Sequence, residues 1–271
     1  MCVGRLTRLA GNITEFDKSY KAVIKFGEET DTLDYEGKIV ETTGLPDEET
    51  VKKVIKSFVG EQLQTPPVFS SIHVDGKRAS DLVRKGVDVE IPKRKIIVYS
   101  ADILDMKIVN NKVESCLVDF SVSKGTYIRC LARDIGKACN SSAHLLGLYR
   151  TKVGNFNIEQ SAGFSLLPEF SIQSCEKLAK ENKDDHFHDE DLQEDIKNTI
   201  KPLDEETAQL CGYAVLHLKD SQTEQDFRFA RPIRKRNFVE YVDSLKSKDI
   251  FAVFTSDNLF CGLLEWKDAE R

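Results

Sequence analysis

From Tyr20 to Phe26 the chain alternates, with Tyr20, Ala22, Ile24 and Phe26 on one side and Lys21, Val23 and Lys25 on the other, which predicts a β-strand. A polar connection follows from Gly27 to Gly37, and Lys38–Glu41 begins a second extended piece. Val51, Val54, Ile55 and Phe58 then recur at helical spacing. They predict a helix that ends before Gly60, with Asp47 as its N-cap and Thr50 at the third helical position. Lys95–Leu104 and Val113–Val122 read as two strands of a hairpin closed at Asn110-Asn111, residues that tolerate the left-handed backbone of a tight turn. In the second strand Cys116, Val118, Phe120 and Val122 alternate with polar partners, the pattern of a half-buried strand. Ser123, Lys124 and Gly125 form a turn, and Ile128, Leu131 and Ile135 mark a helix over Thr126–Cys139. Arg129 and Arg133, four residues apart, share a face of that helix away from its apolar stripe.

Beyond this helix the spacing predicts a short element to Tyr149 and a strand near Thr151–Phe156. Ser161 to Glu206 is helical and acidic. Tyr213–Leu218 and Ile250–Leu264 read as strands of a small terminal β unit, with Arg228, Arg231, Arg234, Lys235 and Arg236 clustered between them. Pro66-Pro67 forbids helix and opens a long basic segment that runs to Pro92, within which Ala79–Lys85 suits a short helix closed by Gly86. No internal repeat is present. The mixture of elements is that of an α+β protein.

The formal charge of −6 argues at first against a nucleic-acid partner. Its distribution reverses that inference. Glu176–Glu206 holds twelve acids against five lysines, so the remainder of the chain is slightly positive. Ser123–Lys152 carries six Lys or Arg and one Asp, and Ile72–Ser100 carries seven against four acids. Stripes of this kind neutralise phosphates whatever the global sign. The seven cysteines are scattered, odd in number and without CxxC spacing, which fits reduced thiols in a cytoplasmic protein better than disulfides or zinc. His186 and His188 lie in an acidic run that reads as a solvated face, so no metal is expected. No apolar run is long enough for a membrane helix, and the start of the chain lacks a signal-peptide core.

The turn at Ser123–Arg129 is the strongest chemical signal. A helix N-terminus attracts anions through its free N–H groups, and Lys124 and Arg129 add positive charge there. Four blocks then resemble the tRNA pseudouridine synthase B (TruB) family, in that family's own order, over roughly Cys2 to Phe156. They are CVGRLTRL with DKSYKAVIKFG, TDTLDYEGKIV, PPVFSSIHVDGKRASDLVRKG, and SKGTYIRCLARDIG with GLYRTKVGNF. The resemblance implies isomerisation of uridine-55 in the TΨC loop of tRNA to pseudouridine, without a cofactor. It implies a pseudouridine-synthase-like mixed, largely antiparallel sheet flanked by helices. The expected division is a catalytic portion over 1–160, with an RNA-gripping insertion at about 66–92, an acidic helical segment over 161–206, and a small PUA-like β unit over 207–271.

By the same resemblance Tyr20 stacks on the target base, Arg129 pairs with the catalytic aspartate and Leu148 lines the pocket. Lys18, Lys77, Arg78, Arg84, Lys85, Lys124 and Arg150 are the expected RNA contacts, and Asp34 is a turn aspartate at the edge of the site. The family nucleophile belongs to an upstream G-H-x-G-T-L-D-P motif that does not occur here, the chain beginning about where that motif ends. Arg129 is therefore expected to face a carboxylate the chain does not contain. His73 and Ser80 stand where the family often has lysine and an aromatic. The expected partner is the TΨC stem-loop of tRNA, bound by a cytoplasmic monomer that does not enter membranes. The alternative is a catalytically inactive tRNA-binding or tRNA-folding factor that keeps the same basic surface.

Overall fold

The computed structural model describes residues 4–67, 73–74, 77–78, 91–181, 190–200, 202–240 and 250–266. The chain divides into two compact units. One comprises Met1–Val153, Asn157–Glu159 and Gly163–His188, the other Gly154–Phe156, Gln160–Ala162 and Asp189–Arg271. The suggested helix at Ala79–Lys85 and the paired histidines His186 and His188 lie outside the described residues.

In the first unit a 3-10 turn at Gly4–Leu9 leads into α1 (Ala10–Thr14) and then β1 (Lys18–Phe26), β2 (Glu28–Thr30) and β3 (Ile39–Thr42). α2 (Glu48–Ser57), β4 (Gly60–Gln64), β5 (His73–Val74) and β6 (Lys77–Arg78) follow. The hairpin β7 (Arg94–Val109) and β8 (Lys112–Val122) precedes α3 (Ile128–Ala138), β9 (Ala143–Val153), β10 (Phe156–Asn157) and α4 (Ile172–Glu181). Six strands form one sheet in the order β10-β9-β1-β8-β7-β4. The pairings of β1 with β8 and β9, of β7 with β8 and of β4 with β7 are all antiparallel.

Local chemistry accounts for much of this. The β7–β8 turn places Asn110 and Asn111 at φ 50° and 59°, the left-handed pair that matches the twist of the strands it joins. Asp47 caps α2 by accepting the Thr50 N–H at 2.8 Å. Gly125 turns the chain at φ 76° ahead of α3. On one face of the sheet Ala22, Ile24, Val98, Val118 and Phe120 pack with Val51 and Ile55 of α2 and Ile128, Leu131 and Ile135 of α3.

Two expectations are corrected. β8 is not half-buried throughout, because Leu117 on its other face is buried with Val23, Leu146, Ile172 and Cys175 beneath α4. The pieces expected on either side of Thr151 are one strand, β9, which continues past Gly147. That glycine lies against the side chains of Cys175 and Phe170, which leave no room for a Cβ. None of the six described cysteines forms a disulfide, and burial pushes the Cys130 thiol up to about 11, consistent with small apolar filling. Helix α3 is held close to β9 at Gly136, where a Cβ would stand 2.6 Å from the Ala143 Cβ and 2.9 Å from its nitrogen. Gly136→Ala is expected to destabilise the first unit by about 1–3 kcal/mol, seen as a lower thermal midpoint. An unchanged midpoint would show that this approach is not tight.

The second unit contains α5 (Glu190–Thr199), α6 (Glu205–Leu210), β11 (Ala214–His217), α7 (Ser221–Arg228), β12 (Ile250–Phe254) and β13 (Phe260–Glu265). Its sheet runs β11-β12-β13, with β11 parallel and β13 antiparallel to β12. Asp204 and Asp220 cap α6 and α7 as Asp47 caps α2. His217 sits between two carboxylates, its Nδ1 2.5 Å from Glu240 and its Nε2 3.3 Å from Glu205. Burial alone would lower its pKa, but Glu240 and Glu205 outweigh it and hold the imidazolium above its usual range. The stabilisation is therefore complete below the ordinary histidine value and is lost as pH rises through the raised one. Trp266, the only tryptophan, packs against the core of this unit and reports on it. The unfolding midpoint by Trp266 fluorescence should fall by the equivalent of about 1 kcal/mol as the solution turns alkaline, and His217→Gln should remove that dependence.

Candidate functional site

The open end of the first sheet face carries the expected chemistry. Tyr20 lies opposite Phe120 on β8 and Arg150 on β9, and Ala22 lies opposite Leu148. Paired residues share a face, so Tyr20, Leu148 and Arg150 project together beside the helices that cover the rest of that face. Tyr20 packs against the cluster that Ile128 and Leu131 of α3 enter. Leu148 is 45% exposed, although a leucine at that strand position would ordinarily be core.

Arg129, in the first turn of α3, reaches the loop between β2 and β3. Its Nη1 donates to Asp34 Oδ2 at 2.8 Å and to the Thr32 carbonyl at 3.1 Å. The two charged side chains are 26% and 23% exposed, shielded from water yet reachable. Within the chain, then, Arg129 already has a carboxylate partner. The carboxylate on Arg129 is Asp34, the aspartate read as a turn residue at the edge of the site.

The Asp34 loop is built to hold that carboxylate. Asp34 Oδ1 accepts the Thr32 hydroxyl at 2.5 Å, and the Thr30 hydroxyl donates to the Asp34 carbonyl at 2.6 Å. Leu33 is buried at φ 66°, a left-handed conformation that costs energy for a branched side chain and marks a position fixed by its surroundings. Its carbonyl accepts the Leu145 N–H of β9 at 3.0 Å, and Asp34 bridges β9 at the same residue. The loop is thus tied to the strand that bears Leu148 and Arg150. A cavity of about 270 Å³ lies beside it, bounded by Glu29, Leu33, Thr65, Pro66, Ile91 and Arg133. Tyr20 and Leu148 do not line that cavity.

The expected RNA contacts divide. Arg150 is exposed beside Tyr20. Lys18 is turned onto the Thr14 and Phe16 carbonyls, and burial followed by the neighbouring Arg150 charge lowers its pKa. Lys124 pairs with Glu15, both exposed, rather than standing alone at the start of α3. Lys77 and Arg78 lie on the short β5–β6 ladder, opposite Val74 and His73. Arg84 and Lys85 lie outside the described residues. In the second unit Arg231 lies over the Phe229 ring and Lys235 over Trp266, each 5.7 Å from the ring centroid. Among the described residues no group of three His, Cys, Asp or Glu is placed to hold a metal, and no helix is long and apolar enough to cross a membrane.

Sequence reasoning placed Thr30, Thr32, Leu33 and Gly37 within the TDTLDYEGKIV block but gave their side chains no part in holding Asp34. The signal was present, since two hydroxyls spaced two residues apart and ending on an aspartate suit a loop that bonds its own carboxylate.

Comparisons with known proteins bear on the family and the fold. The sequence model of the TruB family pseudouridylate synthase (N terminal domain) matches residues 1–128. The tRNA pseudouridine synthase B of Treponema denticola is 40% identical over 199 residues, covering 68% of this chain and 56% of that protein. The protein of the same name from Borreliella burgdorferi is 44% identical over 177 residues, covering 65% and 62%. That from Parabacteroides distasonis is 38% identical over 183 residues, covering 67% and 76%. The matched stretch thus spans less than two-thirds of the first two relatives. Among solved structures, a Cbf5–Nop10–Gar1 complex matches with a TM-score of 0.59 at 20% identity, over 98% of this chain and 64% of that one. An H/ACA RNP bound to a substrate RNA containing 2′-deoxyuridine matches with a TM-score of 0.60 at 19% identity, over 99% and 64%. These structural matches establish the shared fold, a mostly antiparallel sheet flanked by helices with a separate small terminal sheet. With relatives of this identity and a matching family model, the chain belongs to the TruB family of pseudouridylate synthases.

Proposed function

We propose that this chain serves the isomerisation of uridine to pseudouridine in tRNA, with uridine-55 of the TΨC loop as its target. The observation that carries the reading is the Arg129–Asp34 pair, its loop tied to the strand whose Leu148 and Arg150 share a sheet face with Tyr20, in a chain of the TruB family. The reaction breaks the N1–C1′ bond, turns the base over and joins C5 to C1′; the C5 proton leaves and N1 gains one, with no net redox change. It requires a base extruded from its loop, a ring to stack on it and a fixed charge at the sugar. In this reading Tyr20 supplies the stacking face and Leu148 an apolar wall. Arg129 orients a carboxylate, and Arg150 with the basic 66–92 segment meets phosphate. The chemistry calls for no cofactor. We expect a monomer acting in the cytoplasm.

One observation favours a second reading, that of a tRNA-binding or tRNA-folding factor. The carboxylate on Arg129 is held by its own loop, Asp34 Oδ1 accepting the Thr32 hydroxyl. Unmodified tRNA incubated with the protein and mapped by carbodiimide and primer extension separates the two. A new stop at uridine-55 is the expected result. Saturable, salt-weakened binding without that stop would leave the binding factor, and no binding at all would overturn both.

A further inference from the structure

The last residue of β4 breaks the strand's own pattern. Alternation should put an apolar side chain inside, yet Leu63 is 66% exposed while Gln64 is buried to 1% exposure. A polar residue at a core position without an apparent gain marks a local choice made for another purpose. The hydrogen bonds identify it. Gln64 Oε1 accepts the Tyr127 N–H at 2.9 Å, and Gln64 Nε2 donates to the Tyr127 carbonyl at 3.1 Å. A primary amide both donates and accepts from one planar group, so this side chain pairs with a backbone residue as a neighbouring strand would.

Tyr127 is the N-cap of α3, and its own side chain makes no capping bond. The same carbonyl accepts the N–H groups of Cys130 and Leu131, each at 3.1 Å, so Gln64 grips the point from which the helix starts. Arg129 stands two residues further on. At the other end of the clamp, the adjacent Thr65 carbonyl faces Arg133 Nη2 at 3.4 Å, and Pro66 follows directly. We propose that Gln64 is a positioning residue for Arg129: its amide fixes the first turn of α3 so that the guanidinium stays on Asp34, and it ties that turn to the root of the 66–92 segment. The value of this placement for catalysis rests on the isomerase reading; the placement itself does not.

The test is NMR of the full chain labelled on arginine and tyrosine nitrogen, with Gln64→Met as a variant of similar volume lacking both bonds. Ile55→Val, in α2, serves as a control of comparable stability loss. Gln64→Met is expected to speed exchange of the Tyr127 amide at least tenfold and to erase the slowed exchange of the Arg129 guanidinium, while Ile55→Val leaves both unchanged. Gln64→Glu keeps the acceptor and loses the donor, so it should fall between. A folded Gln64→Met protein with an unaltered Arg129 signal would overturn the proposal. Should neither variant fold, the unmodified protein still decides: Tyr127 and Arg129 must open at one shared rate, and independent opening of Arg129 sinks the idea. A separate tRNA titration of the unmodified protein tests the isomerase reading, so failure of one is distinguishable from failure of the other.

Discussion

Replacing Arg129 with methionine should slow pseudouridine formation by about 10²–10³-fold, the range seen when one preorganised electrostatic group is removed from an active site. The same Nη1 serves Asp34 and the Thr32 carbonyl, so the substitution leaves a three-quarters-buried carboxylate without its cation and a carbonyl without its donor. Arg129→Lys should recover little. The lysine stem ends short of the Nη1 position from which both acceptors are met, so its ammonium does not reach them together. Single-turnover rates on unmodified tRNA, measured beside the binding constant, check this: the loss should fall on the chemical step and hardly on affinity. A loss confined to affinity would assign Arg129 to phosphate binding instead.

Gly37→Ala should produce the second large effect through the opposite partner of the pair. A Cβ at Gly37 would press on the Thr32 hydroxyl, 2.6 Å from Asp31 Oδ1 and 2.9 Å from the Thr30 Cβ. Thr30 and Thr32 are the residues whose hydroxyls hold Asp34, so relief of the clash moves the carboxylate. On the isomerase reading Asp34 fixes Arg129, and displacing a group that positions an active-site charge by about 1 Å costs on the order of 10²-fold in rate. The accompanying loss of stability should be about 1–3 kcal/mol. Thermal unfolding and single-turnover kinetics together check this, and a variant of reduced stability with an undiminished rate would show that Asp34 needs no such support.

Local features were legible in the sequence because neighbouring residues decide them. The Asn110-Asn111 turn, the Asp47 cap and the apolar stripe of α3 depend on atoms a few positions apart, and the structure has each of them. What could not be read depends on distant packing. Leu117 is buried only because α4 covers its face, and β9 is continuous because Gly147 makes room for Cys175 and Phe170. The partner of Arg129 stands 95 positions away, in a turn whose aspartate looked structural. Gln64 was overlooked for a related reason. Its burial reverses the alternation that reveals strands, and its partner is 63 positions distant. Both oversights fall where local preference yields to a site, which is where sequence pattern is expected to fail.

The proposed function seats the uridine of a TΨC loop on the face shared by Tyr20, Leu148 and Arg150, on the strand tied to the Asp34 loop. It is tested most directly by photocrosslinking a T-arm hairpin carrying 4-thiouridine at position 55 and mapping the adduct by mass spectrometry. An adduct on the peptide containing Tyr20 or on that spanning Leu148 and Arg150, reduced by competing unmodified tRNA, is the expected result. Adducts confined to the terminal unit around Arg228–Arg236, or none at saturating protein, would contradict it.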